Sequence, residues 1–356
     1  YKLKRIKLVG ATHPKASDKS VNAGRLVLET ISNLKPEDLV VALFSGGGSA
    51  LLEYPVQGVS IEEISDISLK LMRRGADIFE LNTVRKHLSM IKGGWLARHA
   101  QPARLVALMI SDVIGDRMDT IASGPTVPDP TTFKDARDIL VKYRLWEEVP
   151  ESIKDHIERG LKGEVPETPK PGDPLFSKVK NVIIASNMIS LEAMARKAGE
   201  LGYNPLILTS MLEGEAREVG RVIVSLIKEV KRSGIPVKPP AVLLLGGETT
   251  VTVRGNGIGG RNQEMALSIA IGIRGLKGVA VACIGSDGRD GPTDAAGAVV
   301  DGNTYELALR QGLKPEDFLT NNDSYNFFKA LGGHVKTGYT GTNVNDFVIA
   351  VINQVD

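Results

Sequence analysis

At 356 residues the chain is long enough for two domains of ordinary size, with room for a third. Apolar residues make up 42% and charged residues 24%, the balance of a folded globular protein, which excludes a largely disordered one. The net charge of +2 gives no field that would favour nucleic acid or an acidic membrane surface, and aromatic residues at 5% leave few rings for stacking bases.

In chain order, Tyr1 opens a basic segment without an apolar signal core, so a missing beginning is expected rather than a secretion signal. A helix is predicted over 20–32 and a wholly apolar strand over 39–44. The strand runs into Ser45-Gly46-Gly47-Gly48-Ser49, where three glycines let the backbone curl around a ligand and two hydroxyls add donors. This is a candidate phosphate loop or a tight structural turn; it is not a Walker A loop, because no Lys-Ser or Lys-Thr closes it. After a helix over 60–74, the segment from Asn82 to Gly94 gathers Arg85, Lys86, His87 and Lys92 before two glycines, cations suited to a substrate carboxylate or phosphate or to a solvated basic face. A strand over 104–110 leads to Ser111-Asp112, where a carboxylate is placed for base or metal work, or as a cap. A helix over 133–143 precedes 162–174, whose four prolines and low apolar content mark a domain crossing near 175.

The second half alternates strands over 179–185, 205–208, 241–245 and 279–284 with helices over 187–201, 214–231 and 262–273. Strands alternating with helices predict an α/β architecture, and continuously apolar runs predict parallel strands covered on both faces. Gly255, Gly257 and Gly260 formally match the dinucleotide fingerprint, but the run before them alternates Thr and Val, unlike a buried Rossmann strand. Arg261 follows at a helix start, where dipole and charge together would meet an anion; a solvated cap is the alternative. Asp287, Asp290 and Asp294 crowd a glycine-bent loop, suggesting a hard divalent cation or structural turns. Cys283 is alone and sits in an apolar run, so it reads as a buried residue of a reducing compartment. His13, His99, His156 and His334 show no partner spacing and read as structural, and no apolar run is long enough to span a bilayer.

Taken together, Ser45-Gly-Gly-Gly-Ser-Ala-Leu-Leu52, Leu81-Asn-Thr-Val-Arg-Lys-His-Leu88, Ser111-Asp-Val113, Ile121-Ala-Ser-Gly-Pro125, Gly246-Gly-Glu-Thr-Thr250, Gly259-Gly-Arg-Asn-Gln-Glu264, Asp290-Gly-Pro-Thr-Asp-Ala-Ala-Gly297 and Gly341-Thr-Asn-Val-Asn-Asp346 occur in the order seen in the glycerate 2-kinases of the MOFRL type, which the whole chain resembles. The resemblance implies two α/β domains: a Rossmann-like one over 1–175 and a carboxy-terminal one over 176–356, with the MOFRL region at about 240–350 and the active site in a cleft between them that closes on ligands. It implies ATP and Mg²⁺ as cofactors, D-glycerate as the small-molecule partner, 2-phosphoglycerate as product and a cytoplasmic enzyme; no nucleic acid or membrane partner is expected, and a homo-oligomer is left open. The family's catalytic lysine belongs to a segment that would precede Tyr1, so it has no number here.

On that reading Ser45, Gly46, Gly47, Gly48 and Ser49, with Gly257, Gly259 and Gly260, contact phosphates. Arg261 stabilises charge on the transferred group, Asp112 is the candidate general base, and Arg85, Lys92 and Glu248 bind substrate. Asp287, Asp290 or Asp294 holds the metal. The rival readings are an NAD(P)H-dependent hydroxypyruvate reductase, which lacks a recognisable hydride-relay His–Arg pair, and a nucleotide sensor without turnover.

Overall fold

The structure is a computed structural model that describes residues 3–354, so Tyr1 and what was read from it lie outside the described residues. It resolves into two compact units. The first takes the chain up to Ile110 and then Asp116–Ile184; the second takes Ser111–Gly115 and the described chain from Ala185 onward.

In the first unit the order is α1 (Asp18–Thr30), β1 (Leu39–Phe44), α2 (Gly48–Leu51), α3 (Ile61–Arg73), α4 (Ile78–His87), α5 (Trp95–His99), β2 (Arg104–Ile110), α6 (Phe133–Lys142), α7 (Glu151–Leu161) and β3 (Val179–Ala185). The main helices start where the sequence writes a capping box. Ser60 with Glu63, Asp77 with Glu80 and Thr132 with Asp135 each satisfy two orphan backbone donors reciprocally. On α3 the apolar spacing Ile64, Ile67, Leu71 forms one stripe, which packs with Val84, Leu88, Phe133, Leu140 and Ile153 in the core of this unit. Each such side chain contributes about 1.5–3 kcal/mol by leaving water.

β1 and β2 pair in parallel from Leu39 opposite Arg104 to Phe44 opposite Met109, in a three-stranded sheet ordered β1-β2-β3. The expectation of full cover fails at β1: Leu39, Val41 and Leu43 are 55%, 54% and 73% exposed, so none of the described residues buries that face.

The division between units falls at Ile184/Ala185 rather than near 175. The proline-rich stretch is stapled to the first unit: Thr168 Oγ1 donates to Asp129 Oδ2 at 3.0 Å, Asp129 N to the Pro169 carbonyl at 2.8 Å, and Phe133 N to Glu167 Oε1 at 2.8 Å. Conversely, Ser111 N donates to the Ala185 carbonyl at 2.9 Å, tying the residues after β2 to the second unit.

The second unit continues with α8 (Asn187–Glu200), β4 (Asn204–Leu212), α9 (Ala216–Ser233), β5 (Ala241–Gly247), α10 (Arg261–Gly272), β6 (Val279–Gly285), β7 (Gly297–Asp301), α11 (Thr304–Arg310), α12 (Pro315–Thr320), α13 (Ser324–Leu331), β8 (His334–Val335) and β9 (Asp346–Ile352). Its six-stranded sheet is ordered β4-β5-β9-β6-β7-β8. Only β4 and β5 pair in parallel; β9 inserts antiparallel between β5 and β6, and β7 runs antiparallel to β6. The uniformly apolar β5 and β6 are therefore buried in a mixed sheet, because apolarity reports burial rather than strand direction. Helices α9 and α10 share its apolar core and pack closely against each other: a Cβ on Gly220 would stand 3.1 Å from the Met265 carbonyl oxygen.

Candidate active site

The strongest constellation lies at one end of the second unit's sheet. Strand register places Asp346, the first residue of β9, opposite both Gly247 at the end of β5 and Gly285 at the end of β6. Gly247 has φ +146°, and a Cβ there would lie 2.2 Å from Leu212 N; a Cβ on Gly246 would lie 1.8 Å from Asn187 Oδ1. Only glycine lets the chain turn out of the sheet here and deliver Glu248. Asn187 locks the facing strand by donating from Nδ2 to the carbonyls of Val344 and Asp346 at 2.9 and 3.0 Å.

Arg261, the first residue of α10, reaches into this corner. Its Nε and Nη2 donate to the two oxygens of Asp346 at 2.5 and 3.1 Å, and its Nη1 stands 2.9 Å from Glu248 Oε1. The fork fixes the guanidinium in plane and position. Burial alone would lower the arginine's pKa, but the Asp346 bond and the charges of Asp346 and Glu248 outweigh it and hold the group firmly protonated. For Glu248 burial pushes the pKa up; Arg261 pulls it down, while Asp346, Asp112 and Asp287 push it up again. Asp112 and Asp287 are thus close enough to act electrostatically on this corner. A cavity of about 510 Å³ opens beside it, lined by Glu248, Thr249, Gly257, Gly259, Gly260 and Arg261 among others.

The residues from Thr249 to Gly260 form a loop and not the strand that the Thr/Val alternation suggested. Glu215 straps it down, accepting from Thr252 N and Oγ1 at 3.0 and 2.9 Å. The glycines serve close packing: a Cβ on Gly257 would meet Asp323 at 2.4 Å, and one on Gly260 would meet Asp290 Cγ at 2.3 Å. Asp290 is the cap of α10, its two oxygens accepting from the backbone N–H groups of Asn262 and Gln263 at 3.0 and 2.8 Å and from both side-chain amides.

The structure therefore does not bring the three loop aspartates into one cation site. Asp290 is spent on the helix start, and Asp294 is exposed, bound to Lys336 Nζ at 2.9 Å and the Tyr325 hydroxyl at 2.8 Å. Asp287 Oδ1 accepts from Arg289 N at 2.9 Å. Among the described residues no group of three His, Cys, Asp or Glu side chains is arranged to hold a metal ion. Sequence reasoning gave no role to Asp346 or Asn187; the available signal was a lone acid opening the apolar run Phe347-Val-Ile-Ala-Val-Ile352.

In the first unit, the Ser45 to Ser49 loop leads into α2, with Ser45 and Gly46 exposed and Gly47 at φ +82°. The loop rests on a tight turn: a Cβ on Gly48 would stand 2.8 Å from that of Ala122, and Ala122, Ser123 and Gly124 all have positive φ. Ser49 Oγ and Ser123 Oγ are 2.8 Å apart, and Ser123 donates to Asn82 Oδ1 at 2.9 Å. Arg85 braces the same loop from α4, its Nη2 donating to the Ser49 carbonyl at 2.8 Å, and burial lowers its pKa.

Lys92 is a correction. It is 0% exposed, its Nζ lies 2.7 Å from the equally buried Glu53 carboxylate, and it donates to the Leu52 carbonyl at 3.0 Å. A lysine so enclosed supports the segment after the glycine loop and does not meet a substrate. Lys86 is likewise buried, 3.5 Å from Asp129 and 3.8 Å from Asp119.

An arginine forked onto one carboxylate and flanked by another, beside a glycine-walled cavity at the end of a mixed sheet's inner strands, is the equipment of an α/β protein that handles an anionic ligand. Comparison with known proteins narrows the class. Residues 1–158 match the model of a domain of unknown function, DUF4147, and residues 241–346 match the MOFRL family. The chain is 50% identical to the Glycerate 2-kinase of Pyrococcus horikoshii over 98% of its own length and 79% of that protein's. It superposes on the crystal structure of glycerate kinase from Thermotoga maritima with a TM-score of 0.90 at 48% identity, covering 96% of this chain and 80% of that one. A 44% identical relative from Agrobacterium vitis, named provisionally a hydroxypyruvate reductase, aligns over 96% of this chain and 76% of its own. The chain belongs to the glycerate 2-kinase family of the MOFRL type.

Proposed function

We propose that the protein transfers the γ-phosphoryl group of ATP to the 2-hydroxyl of D-glycerate, giving 2-phosphoglycerate and ADP. The observation that carries this is the 50% identity to a protein named Glycerate 2-kinase over 98% of the chain. In the step, the 2-hydroxyl oxygen bonds to the γ-phosphorus, the bond from that phosphorus to the β,γ-bridging oxygen breaks, and its electron pair leaves with ADP. Asp112 takes the hydroxyl proton. Its support is its place beside Glu248, where its charge is felt.

Arg261 stabilises charge on the transferred group, held for that purpose by Asp346 and Glu248. Gly257, Gly259 and Gly260, packed against Asp323, Ser324 and Asp290, line the second unit's cavity with backbone that would contact phosphate oxygens. Within the first unit, Ser45 to Ser49, braced by Arg85, is read as a further phosphate-contacting loop. Glu248, lining the cavity, contacts glycerate. Asp290 is engaged at the start of α10 and Asp294 by Lys336 and Tyr325, which leaves Asp287 as the loop carboxylate that would help hold a Mg²⁺ carried mainly by the nucleotide's phosphates. No described helix is long and apolar enough to cross a membrane, and buried, unpaired Cys283 supports a reducing compartment, the cytoplasm.

A coupled assay of ADP release tests the reading: release should depend on D-glycerate, and Arg261→Ala should lower kcat/KM by about 10²–10³-fold, the scale of one lost oxyanion donor. Wild-type kcat/KM in that variant removes Arg261 from the reaction. Oxidation of NADH by hydroxypyruvate, without ADP release, would replace the kinase with the reductase named for the Agrobacterium relative.

A further inference from the structure

The cavity beside Arg261 has two unlike sides. Toward the corner it presents the guanidinium, Glu248 and the glycine backbone, groups that suit a polar, anionic ligand. Toward the loop it presents Val251, Val253, Ile258 and Pro292. Val253 is 70% and Ile258 48% exposed, so apolar surface is left in water directly beside a charged site. Glycerate carries oxygen on every carbon and offers nothing apolar to cover it. Of the reactants, only the base of the nucleotide does.

Two polar features of the same wall have no use within the chain. Thr249 is 4% exposed and lines the cavity, yet its hydroxyl has no hydrogen-bond partner among the described residues. A hydroxyl both donates and accepts, so one that is nearly buried and idle is a place for a ligand's polar edge. The backbone beside it is open along one side. Glu248 N and Thr250 N donate to the Leu212 and Gly214 carbonyls, both at 2.8 Å, and Thr252 N donates to Glu215 Oε1 at 3.0 Å. That alternation leaves the N–H and C=O groups of Thr249, Val251 and Val253 without partners among the described residues, a row of donors and acceptors ready to pair. By contrast Glu264 and Asn322, on other walls of the cavity, bond each other at 2.8 Å, so the idle groups mark out a single strip.

We propose that this strip is the base subsite of the nucleotide: a purine ring packs on Val251, Val253, Ile258 and Pro292, and its polar edge bonds to the Thr249 hydroxyl and to the open backbone of Val251 and Val253. The phosphates then lie toward Gly259, Gly260 and Arg261. The inference rests on the kinase reading and adds to it the part of the cavity that recognises the phosphate donor.

Isothermal titration with Mg-ADP and with Mg-tripolyphosphate, which keeps the anionic part and lacks the base, tests it. Thr249→Val preserves shape and removes the hydroxyl; Val253→Ser combined with Ile258→Ser removes apolar surface at exposed positions. Each should weaken Mg-ADP at least about fivefold and Mg-tripolyphosphate less than about twofold. Thermal melting should not fall in either, because the hydroxyl bonds nothing and both apolar side chains face water. Val222→Ser, on the exposed side of α9, is the control and leaves both affinities unchanged. Equal weakening of the two ligands, Mg-ADP affinity within about twofold of wild type in both variants, or no saturable Mg-ADP heat up to about 5 mM overturns the subsite. In those cases ADP release that depends on D-glycerate still upholds the kinase. Mg-ADP binding that responds to both variants as expected, without such release, upholds the subsite and removes the kinase reading.

Discussion

Lysine 92 shows how far a side chain's role depends on what surrounds it. With Glu53 it forms an ion pair sealed from water, and removing one partner leaves a bare charge in the interior. Lys92→Ala should therefore lower unfolding free energy in urea by about 3–5 kcal/mol, while Lys92→Met combined with Glu53→Leu recovers most of it. An unchanged stability with a raised KM for glycerate would restore the substrate role first read from the sequence.

Glu167 makes a pH prediction. Burial would raise its pKa, but His87, Lys170 and the Phe133 N–H together bring it down to about 2. A carboxyl depressed in the folded state contributes stability above its unfolded pKa, near 4.3, and loses it as pH falls toward about 2. Acid unfolding followed by circular dichroism should find Glu167→Gln less stable than wild type at neutral pH, with the gap closing through that window; a constant gap contradicts the pairing. Residues such as Arg261 and Glu248 were legible from sequence because glycines and a helix start frame them. Lys92 was not, since its partner sits 39 positions earlier and no local pattern links the two.

At the scale of elements, helix starts were the most legible feature, because caps are written within four residues. The helix predicted over 60–74 is Ile61–Arg73, and that predicted over 133–143 is Phe133–Lys142. β9 was missed, and with it the partner of Arg261, because its neighbours in the sheet lie about a hundred and about seventy residues earlier. Pairing at that separation leaves no trace in local periodicity.

The start of α10 is the element on which the site depends most. Gly260→Ala would drive a methyl group to 2.3 Å from Asp290 Cγ, displacing the cap and with it Arg261. A shift of about 1 Å at a reacting group can cost about 10²-fold, so kcat/KM should fall by at least about tenfold in steady-state kinetics. Gly199→Ala, in α8 with open space around it, is the control and should be neutral or stabilise by about 0.4–1 kcal/mol. Equal kinetics in the two variants would separate the cap from the reaction.

Across the whole molecule, each unit has its own apolar core, one gathered by α3, α4, α6 and α7 and the other by the mixed sheet with α9 and α10. The α/β alternation announced the second; the first is a largely helical cluster that includes no residue of β1, β2 or β3. The crossing was misplaced by about ten residues, because prolines mark a break in regular structure and not a break in contacts. The return of Ser111–Gly115 to the second unit could not be read from sequence at all, yet it carries Asp112 to the corner of Glu248. The reaction proposed from family membership and from that corner fixes donor, acceptor and position of transfer together. Phosphorus NMR of the product formed from D-glycerate and Mg-ATP reads all three: a phosphomonoester on carbon 2, appearing with ADP in equal amount, is the predicted spectrum. A phosphate on carbon 3, or ADP and free phosphate without any ester, would contradict it.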